Sequence, residues 1–145
     1  WLTGQSGSPY YNFLQQLNNF GPPDLVLWNH GQQDYSDTTG SAYQTGLIQL
    51  YTGFLTACGK TAAQLPMVVF VSGAYAGSNT YATQIRQAQI DACSTPGIRR
   101  GPDYVGMTTI DGTHLDTAHY VLMARRAVGF AMNALLPLST SASTN

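Results

Sequence analysis

Short apolar runs alternate with stretches of helical periodicity along the 145-residue chain. Residues 8–20 carry apolar side chains at positions 10, 13, 14 and 17, a spacing that predicts a helix with one buried face. Ser8 is its predicted N-cap, and Pro9 occupies its first position. Residues 24–28 (DLVLW) form a continuous apolar run between turn signals, which predicts a strand buried on both faces.

The same reasoning predicts the remaining elements. The further strands are predicted over residues 66–72 and 104–108, and the further helices over residues 41–58, 81–93 and 117–136. The last helix is predicted to place Tyr120, Ala124, Val128 and Leu135 along one apolar face. Buried strands that alternate with helices predict an α/β fold with three α/β/α layers and a parallel, flavodoxin-like sheet. Residues 1–138 are predicted to form one domain, and residues 139–145, which are poor in apolar side chains, a flexible tail or linker.

The composition narrows the classes of partner. Only 9% of residues are charged, Glu is absent and Lys60 is the single lysine, so nucleic-acid binding is not expected. The doublets Arg99-Arg100 and Arg125-Arg126 are predicted to lie in a solvated loop and at helix ends. No apolar run approaches the ~20 residues that span a bilayer, so membrane insertion is not expected. A polar surface built from Ser, Thr, Asn and Gln is typical of extracellular, secreted or virion-associated proteins.

The two cysteines fall near the ends of predicted helices. Cys58 and Cys93 are compatible either with a disulfide or with two buried free thiols. Their spacing matches neither a CxxC pair nor a zinc cluster, and we expect neither a metal nor another cofactor.

The candidate catalytic residues lie in loops that follow the predicted strands, and parallel α/β sheets bind ligands at these loops. In Asp111-Gly112-Thr113-His114, a carboxylate precedes an imidazole by three residues on a predicted tight turn. The carboxylate can orient the imidazole, which then acts as a general base near neutral pH. The alternative is that Asp111 caps a turn and His114 begins a helix.

A second polar cluster follows the strand at residues 24–28. Asn29, His30, Gln32 and Gln33 can supply hydrogen bonds to a developing oxyanion, and Gly31 permits a backbone geometry that is closed to other residues. The alternative is a solvated turn without a catalytic role.

These segments resemble sequence blocks of the SGNH or GDSL hydrolase superfamily. Gly31-Gln32-Gln33-Asp34 resembles its third block, Gly-x-Asn-Asp, with Gln33 in the place of the family Asn. Asp111-Gly112-Thr113-His114 resembles its fifth block, Asp-x-x-His, and residues 3–8 (TGQSGS) are similar to its second block. The resemblance implies the SGNH hydrolase fold and a Ser-His-Asp triad. It assigns His114 as base, Asp111 as its orienting carboxylate, and the Gly7 N–H with a side-chain amide as the oxyanion hole.

The nucleophilic serine has no clear place in the chain. Ser6 is one candidate, because Gly-Gln-Ser resembles a variant first block of sugar acetylesterases. Only residues 1–3 precede this tripeptide, where the family has a whole strand. We therefore favour Gly7 as the second-block glycine and expect the N-terminal part of the fold, with its serine, to be supplied by a missing N-terminal segment or by another chain.

The expected function is ester hydrolysis on an acylated carbohydrate, with deacetylation as the leading reaction. The loop at residues 28–34 resembles that of sugar esterases, and no long apolar lid is evident. One alternative is a catalytically inactive carbohydrate-binding or structural domain on the same fold. Another is a lipase or esterase that acts on other acyl esters.

Overall fold

The computed structural model describes residues 6–31, 34, 38–72, 82–107, 110 and 114–136. Within these residues, helices and strands alternate along the chain. They are α1 (Pro9–Phe20), β1 (Val26–Trp28), α2 (Gly40–Cys58), β2 (Met67–Val71), α3 (Ala82–Ala92), β3 (Ile98–Asp103) and α4 (Thr117–Leu135). The strands form one parallel sheet in the order β1-β2-β3. The predicted α/β fold with a parallel sheet is confirmed.

The sheet separates two hydrophobic cores. On one face, Met67 and Val69 of β2 pack with side chains of α2 and α3, and Phe13 of α1 packs against this cluster. On the other face, Phe70 of β2 packs with Met123 of α4. Because successive side chains of a strand point to opposite faces, β2 contributes to both cores and is buried along its whole length. The described helices therefore lie in two layers around the sheet.

Helix ends follow the signals in the sequence. The Ser8 hydroxyl accepts a hydrogen bond from the Tyr11 backbone N–H at 3.1 Å, and the Asp116 carboxylate accepts one from the His119 N–H at 2.8 Å. Each bond satisfies a donor that has no partner inside the helix. Gly59 ends α2 in the left-handed conformation at φ +61°. Six of the seven predicted elements lie within two residues of their observed bounds, and β1, which starts at Val26, shows the largest difference among them.

The prediction of the third strand is wrong. We expected it at residues 104–108, whereas β3 is Ile98–Asp103. Arg99-Arg100 therefore lies on a strand and not in a solvated loop. The apolar-run criterion fails here because β3 is an outer strand of the described sheet, where charged side chains and Pro102 are tolerated without breaking an inner ladder.

The apolar face that the sequence predicts for α4 is not the face that packs on the sheet. The predicted face comprises Tyr120, Ala124, Val128 and Leu135. The buried side chains are instead Met123, Ala127 and Ala134. Tyr120 is 48% exposed and Val128 62% exposed. The apolar arc of α4 is wider than the stripe that the sheet covers, so periodicity alone does not locate the contact. Arg125-Arg126 lies within this helix and not at its end.

The two cysteines are free thiols. Burial raises the pKa of Cys93 to about 11, so its thiol is protonated at neutral pH. The predicted boundary between residues 1–138 and the tail at residues 139–145 lies outside the described residues and stays a prediction. In the part of the chain that the structure describes, no helix combines the length and apolar character needed to cross a membrane.

An ion pair ties α3 to the ends of β2 and β3. The Arg86 guanidinium donates to both carboxylate oxygens of Asp103, at 2.8 and 2.6 Å, and to the Ser72 carbonyl at 2.9 Å. Two parallel bonds of this kind fix the relative orientation of both groups. The hydrogen bonds from Arg86 lower the pKa of Asp103 to about 2, against the opposing effect of burial.

Replacing Asp103 should alter the pH dependence of stability. Because its folded-state pKa of about 2 lies below the ordinary 3.8, the ionised carboxylate stabilises the fold above pH 3.8 and loses this effect as the pH falls towards 2. We expect Asp103→Asn to be less stable than wild type at pH 7 and to lose less stability on acidification. Urea unfolding measured across this pH range tests the expectation.

Asp24→Asn is the control, because the Asp24 side chain is 87% exposed. It should leave the acid dependence close to that of wild type. An Asp103→Asn variant with an unchanged acid dependence would contradict the role of the ion pair.

Candidate active site

The carboxyl ends of the three strands meet at one edge of the sheet. Asn29 follows β1, Ser72 follows β2 and Tyr104 follows β3. This is the edge at which parallel α/β sheets bind ligands. Hydrogen bonds from α2 and α3 hold it together.

The Gln89 side chain of α3 joins the ends of β1 and β2. Gln89 is 0% exposed. Its Oε1 accepts from the Ser72 N–H at 2.8 Å, and its Nε2 donates to the His30 carbonyl at 2.8 Å and to the Ser72 hydroxyl at 3.1 Å. Both ends of the buried amide are satisfied, so its desolvation is compensated and the two strand ends are locked in position.

Tyr43 of α2 extends this network. Its hydroxyl donates to the His30 carbonyl at 3.2 Å and accepts from the Trp28 indole N–H at 3.4 Å. The Gln89 amide lies 3.3 Å from the same hydroxyl. Burial raises the pKa of Tyr43 to about 12, so the phenol stays protonated and remains a donor at neutral pH.

Gly31 allows the loop after β1 to close over this network. Its φ of +120° is a conformation that L side chains rarely adopt. A Cβ atom at this position would lie 2.8 Å from Gln89 Nε2 and 3.2 Å from the Tyr43 hydroxyl. The backbone geometry and the close approach both require glycine, as the sequence suggested for this loop.

Tyr104 anchors the side chain of Asn29. The buried Tyr104 hydroxyl donates to Asn29 Oδ1 at 2.8 Å. This bond occupies the oxygen of the amide and turns the Nδ2 group, with its two donors, away from Tyr104. Asn29 itself is exposed and lines a groove of about 370 Å³ between the sheet and α4. An anchored neutral donor of this kind can bind a developing negative charge.

His30 and Asp34, which follow β1, form a histidine–carboxylate pair. His30 Nδ1 lies 3.2 Å from Asp34 Oδ2. The half-buried imidazole sits beside the Trp28 ring, with 5.1 Å between ring centroids. Burial lowers the pKa of His30, and the Asp34 charge opposes this effect only in part. The imidazole is therefore neutral at pH 7, the form in which it can accept a proton.

The predicted base lies just before α4. His114 is exposed, and its carbonyl accepts a hydrogen bond from the Ile110 N–H at 2.8 Å. The next residue, Leu115, is buried in the core beside α4 with Phe70 of β2. Asp111, Gln32 and Gln33 lie outside the described residues, so their predicted roles stay predictions.

Ser6 and Gly7 form an exposed turn before α1. Gly7 has a φ of +91°. Within the described residues, no hydrogen bond connects either residue to the edge that carries Asn29, and their predicted roles also stay predictions. The same part of the chain contains no cluster of three His, Cys, Asp or Glu side chains that could hold a metal ion.

Two residues at this edge escaped the sequence reasoning. Tyr104 was placed at the start of a strand, whereas it follows the end of β3. Gln89 has a recognisable signal: with Ile85, Ala88 and Ala92 it occupies the buried stripe of α3, so it is a polar residue at an apolar position. Such a position requires internal hydrogen bonds, although the sequence does not reveal the partners.

Comparison with known proteins shows a likeness in fold only. No protein family model matches the chain, and no curated protein sequence matches it. Its fold is similar to that of a family two carbohydrate esterase from Cellvibrio japonicus, with a TM-score of 0.58 and 14% sequence identity. The match covers 82% of this chain and 35% of that structure, so the chain spans about a third of its length. The chain therefore has a carbohydrate esterase-like fold.

Replacing Gln89 by Leu should destabilise the protein by about 2–4 kcal/mol, because the Ser72 N–H loses its acceptor in a buried site. The free energy of unfolding in urea measures the effect. Gln87→Leu is the matched control on the same helix, since Gln87 is exposed and should change stability by less than about 0.5 kcal/mol. Equal effects of the two changes would show that the buried amide does not hold the strand ends.

Proposed function

We propose that the protein is a serine ester hydrolase of SGNH type that removes acyl groups from a carbohydrate or polysaccharide, with acetyl as the leading candidate. The observation that carries the proposal is a carbohydrate esterase-like fold with an anchored amide donor, Asn29, at its ligand-binding edge. The fold by itself does not define an activity. The donor at this edge and the Asp111-His114 motif supply the chemistry.

The proposed reaction uses His114 as the base. The imidazole takes the proton of the attacking serine hydroxyl as the new bond to the ester carbonyl forms, and then returns it to the leaving alcohol. Asp111 orients the imidazole and stabilises the imidazolium between these steps. The resulting acyl-enzyme is released by water through the same base.

Asn29 is the preferred side-chain donor to the oxyanion. The sequence offers Asn29, His30, Gln32 and Gln33 for this role, with Gln33 at the position of the family amide. Asn29 is supported by its hydrogen bond with Tyr104, because an amide held in place before the reaction needs no reorganisation as the charge develops. The Gly7 N–H is the proposed backbone donor.

The nucleophilic serine is proposed to come from a segment before Trp1 or from another chain. Ser6 remains the alternative within the chain. The matched carbohydrate esterase structure is about three times as long as the part that this chain covers, which leaves room for further elements in a complete protein of that kind.

His114→Ala in the full-length polypeptide should reduce kcat for nitrophenyl acetate by about 10³-fold or more, because the serine loses its base. The rate of nitrophenolate release measures the effect. His119→Ala is the control, since His119 pairs with the helix cap Asp116 at 2.8 Å and is expected to be structural.

Three results would contradict this assignment. Near-normal activity of His114→Ala would remove His114 as the base. If His30→Ala abolished activity while His114→Ala did not, the base would be His30, paired with Asp34. A full-length protein that binds oligosaccharides but does not react with a fluorophosphonate probe would support an inactive carbohydrate-binding domain.

Tyr104→Phe should lower kcat about 10-fold with little change in KM, because Asn29 keeps its donor but loses its anchor. Asn29→Ala should lower kcat further, by about 10²-fold, as expected when an oxyanion donor is removed. Tyr120→Phe is the matched control, since Tyr120 lines the same groove and is proposed to have no part in catalysis. A change confined to KM, or equal effects of both Tyr substitutions, would argue against a positioning role for Tyr104.

A further inference from the structure

Three of the six Lys and Arg side chains of the protein converge on the carboxyl end of β3. Arg86 of α3 and Arg100 of β3 both donate to the Asp103 carboxylate. Arg126 of α4, on the other face of the sheet, donates to the Asp103 carbonyl at 3.5 Å. We call these four residues the arginine cluster. In a chain with only 9% charged residues, it concentrates positive charge at one place on the surface.

Arg86 accounts for the structural role of the cluster. Its side chain is 23% exposed, and its guanidinium holds both carboxylate oxygens of Asp103 together with the Ser72 carbonyl. This bidentate pair is sufficient to join α3 to the ends of β2 and β3. Exposed ion pairs add little to stability, so the two further arginines are not explained by the need to hold the fold.

The Asp103 carboxylate has no capacity left for further donors. Its Oδ1 accepts from Arg86 at 2.8 Å and from the Val105 N–H at 2.9 Å. Its Oδ2 accepts from Arg86 at 2.6 Å and from Arg100 at 3.1 Å. A carboxylate offers about four acceptor sites. The remaining donors of Arg100 and Arg126 therefore cannot be satisfied by Asp103.

Arg100 and Arg126 keep donors that face solvent. The Arg100 side chain is 51% exposed, and Arg126 is also exposed. Among the residues that the structure describes, each of the two donates one hydrogen bond, although a guanidinium carries several N–H donors in a planar fork. Three guanidiniums against one carboxylate leave the cluster with a net charge of +2. A cluster of this kind attracts an anionic group.

The arginine cluster borders the candidate active site. Asp103 is the last residue of β3, and the next residue, Tyr104, anchors Asn29 at the ligand-binding edge. An anion held by Arg100 and Arg126 would therefore lie beside that edge. The planar fork of a guanidinium matches a carboxylate with two parallel hydrogen bonds. Two guanidiniums are too few to follow a nucleic-acid backbone, which requires a row of phosphate contacts.

We propose that Arg100 and Arg126 bind a carboxylate group of the carbohydrate, so that the substrate is an acylated polysaccharide that contains uronic acid residues. The inference rests on the proposed function, because that function makes the ligand a carbohydrate. It adds the acidic character of the polymer and the two side chains that recognise it.

Binding of de-esterified polygalacturonate tests the proposal, with a neutral glucomannan as the reference polymer. Measured by calorimetry at low ionic strength, the protein should bind the polyuronate at least about 10-fold more tightly than the neutral polymer. Arg100→Gln and Arg126→Gln should each weaken polyuronate binding by about 10-fold, because each removes a charge-assisted contact. Arg125→Gln is the matched control, since it removes the same charge from the neighbouring exposed position of α4 and should weaken binding less than about 2-fold.

Urea unfolding establishes that each variant is folded. If Arg100→Gln is not, Arg126→Gln carries the comparison, because its side chain bonds only a carbonyl among the described residues. Equal affinities for the two polymers, or equal effects of Arg126→Gln and Arg125→Gln, would overturn the inference. Equally tight binding of polyglutamate would also overturn it, because the attraction would then not depend on a sugar.

Hydrolysis of nitrophenyl acetate by the wild-type protein separates this inference from the proposed function. Absence of hydrolysis together with polyuronate binding that depends on Arg100 and Arg126 would overturn the esterase assignment and support the carboxylate site. Normal hydrolysis without a preference for the polyuronate would overturn the carboxylate site alone.

Discussion

The buried amide of Gln89 is the interaction on which the candidate site depends. Parallel strands end at a common edge, but nothing in the ladder fixes the loops that continue from them. Gln89 fixes two of these loops, because one side chain bonds the backbone after β1 at His30 and the backbone after β2 at Ser72. The bonds form in a dry environment, where each is strong and an unmade bond is costly.

The hydrogen bonds of Gln89 also determine where the more exposed polar side chains lie. Gly31 must be a glycine because its loop closes against Gln89 and Tyr43. The same closure carries His30 to its place between Trp28 and Asp34, and Asn29 to the Tyr104 hydroxyl. Buried hydrogen bonds thus position polar groups that remain accessible at the surface. This arrangement is expected of a binding or catalytic site, whose functional groups are held in place by the residues behind them.

The sequence predicts correctly the strand that is buried on both faces and the helices whose ends carry capping residues. β2 is found because it is buried on both faces, and α1, α2 and α4 are bounded by Ser8, Gly59 and Asp116. β3 is missed because an edge strand needs no apolar run. At the candidate site, the sequence selects Asn29 and His30 as polar groups after a strand, yet the partnerships with Tyr104 and Asp34 are not predicted, since bonds between distant elements leave no periodic pattern.

The sequence by itself determined the alternation of helices and parallel strands, the caps, and the strand ends that collect polar residues. These follow from local backbone preferences and from hydrophobic periodicity. Only the tertiary structure decided which part of the apolar arc of α4 contacts the sheet, and which two strand ends the Gln89 amide links. Periodicity records how much of a helix is apolar, whereas packing against particular neighbours decides which part is covered.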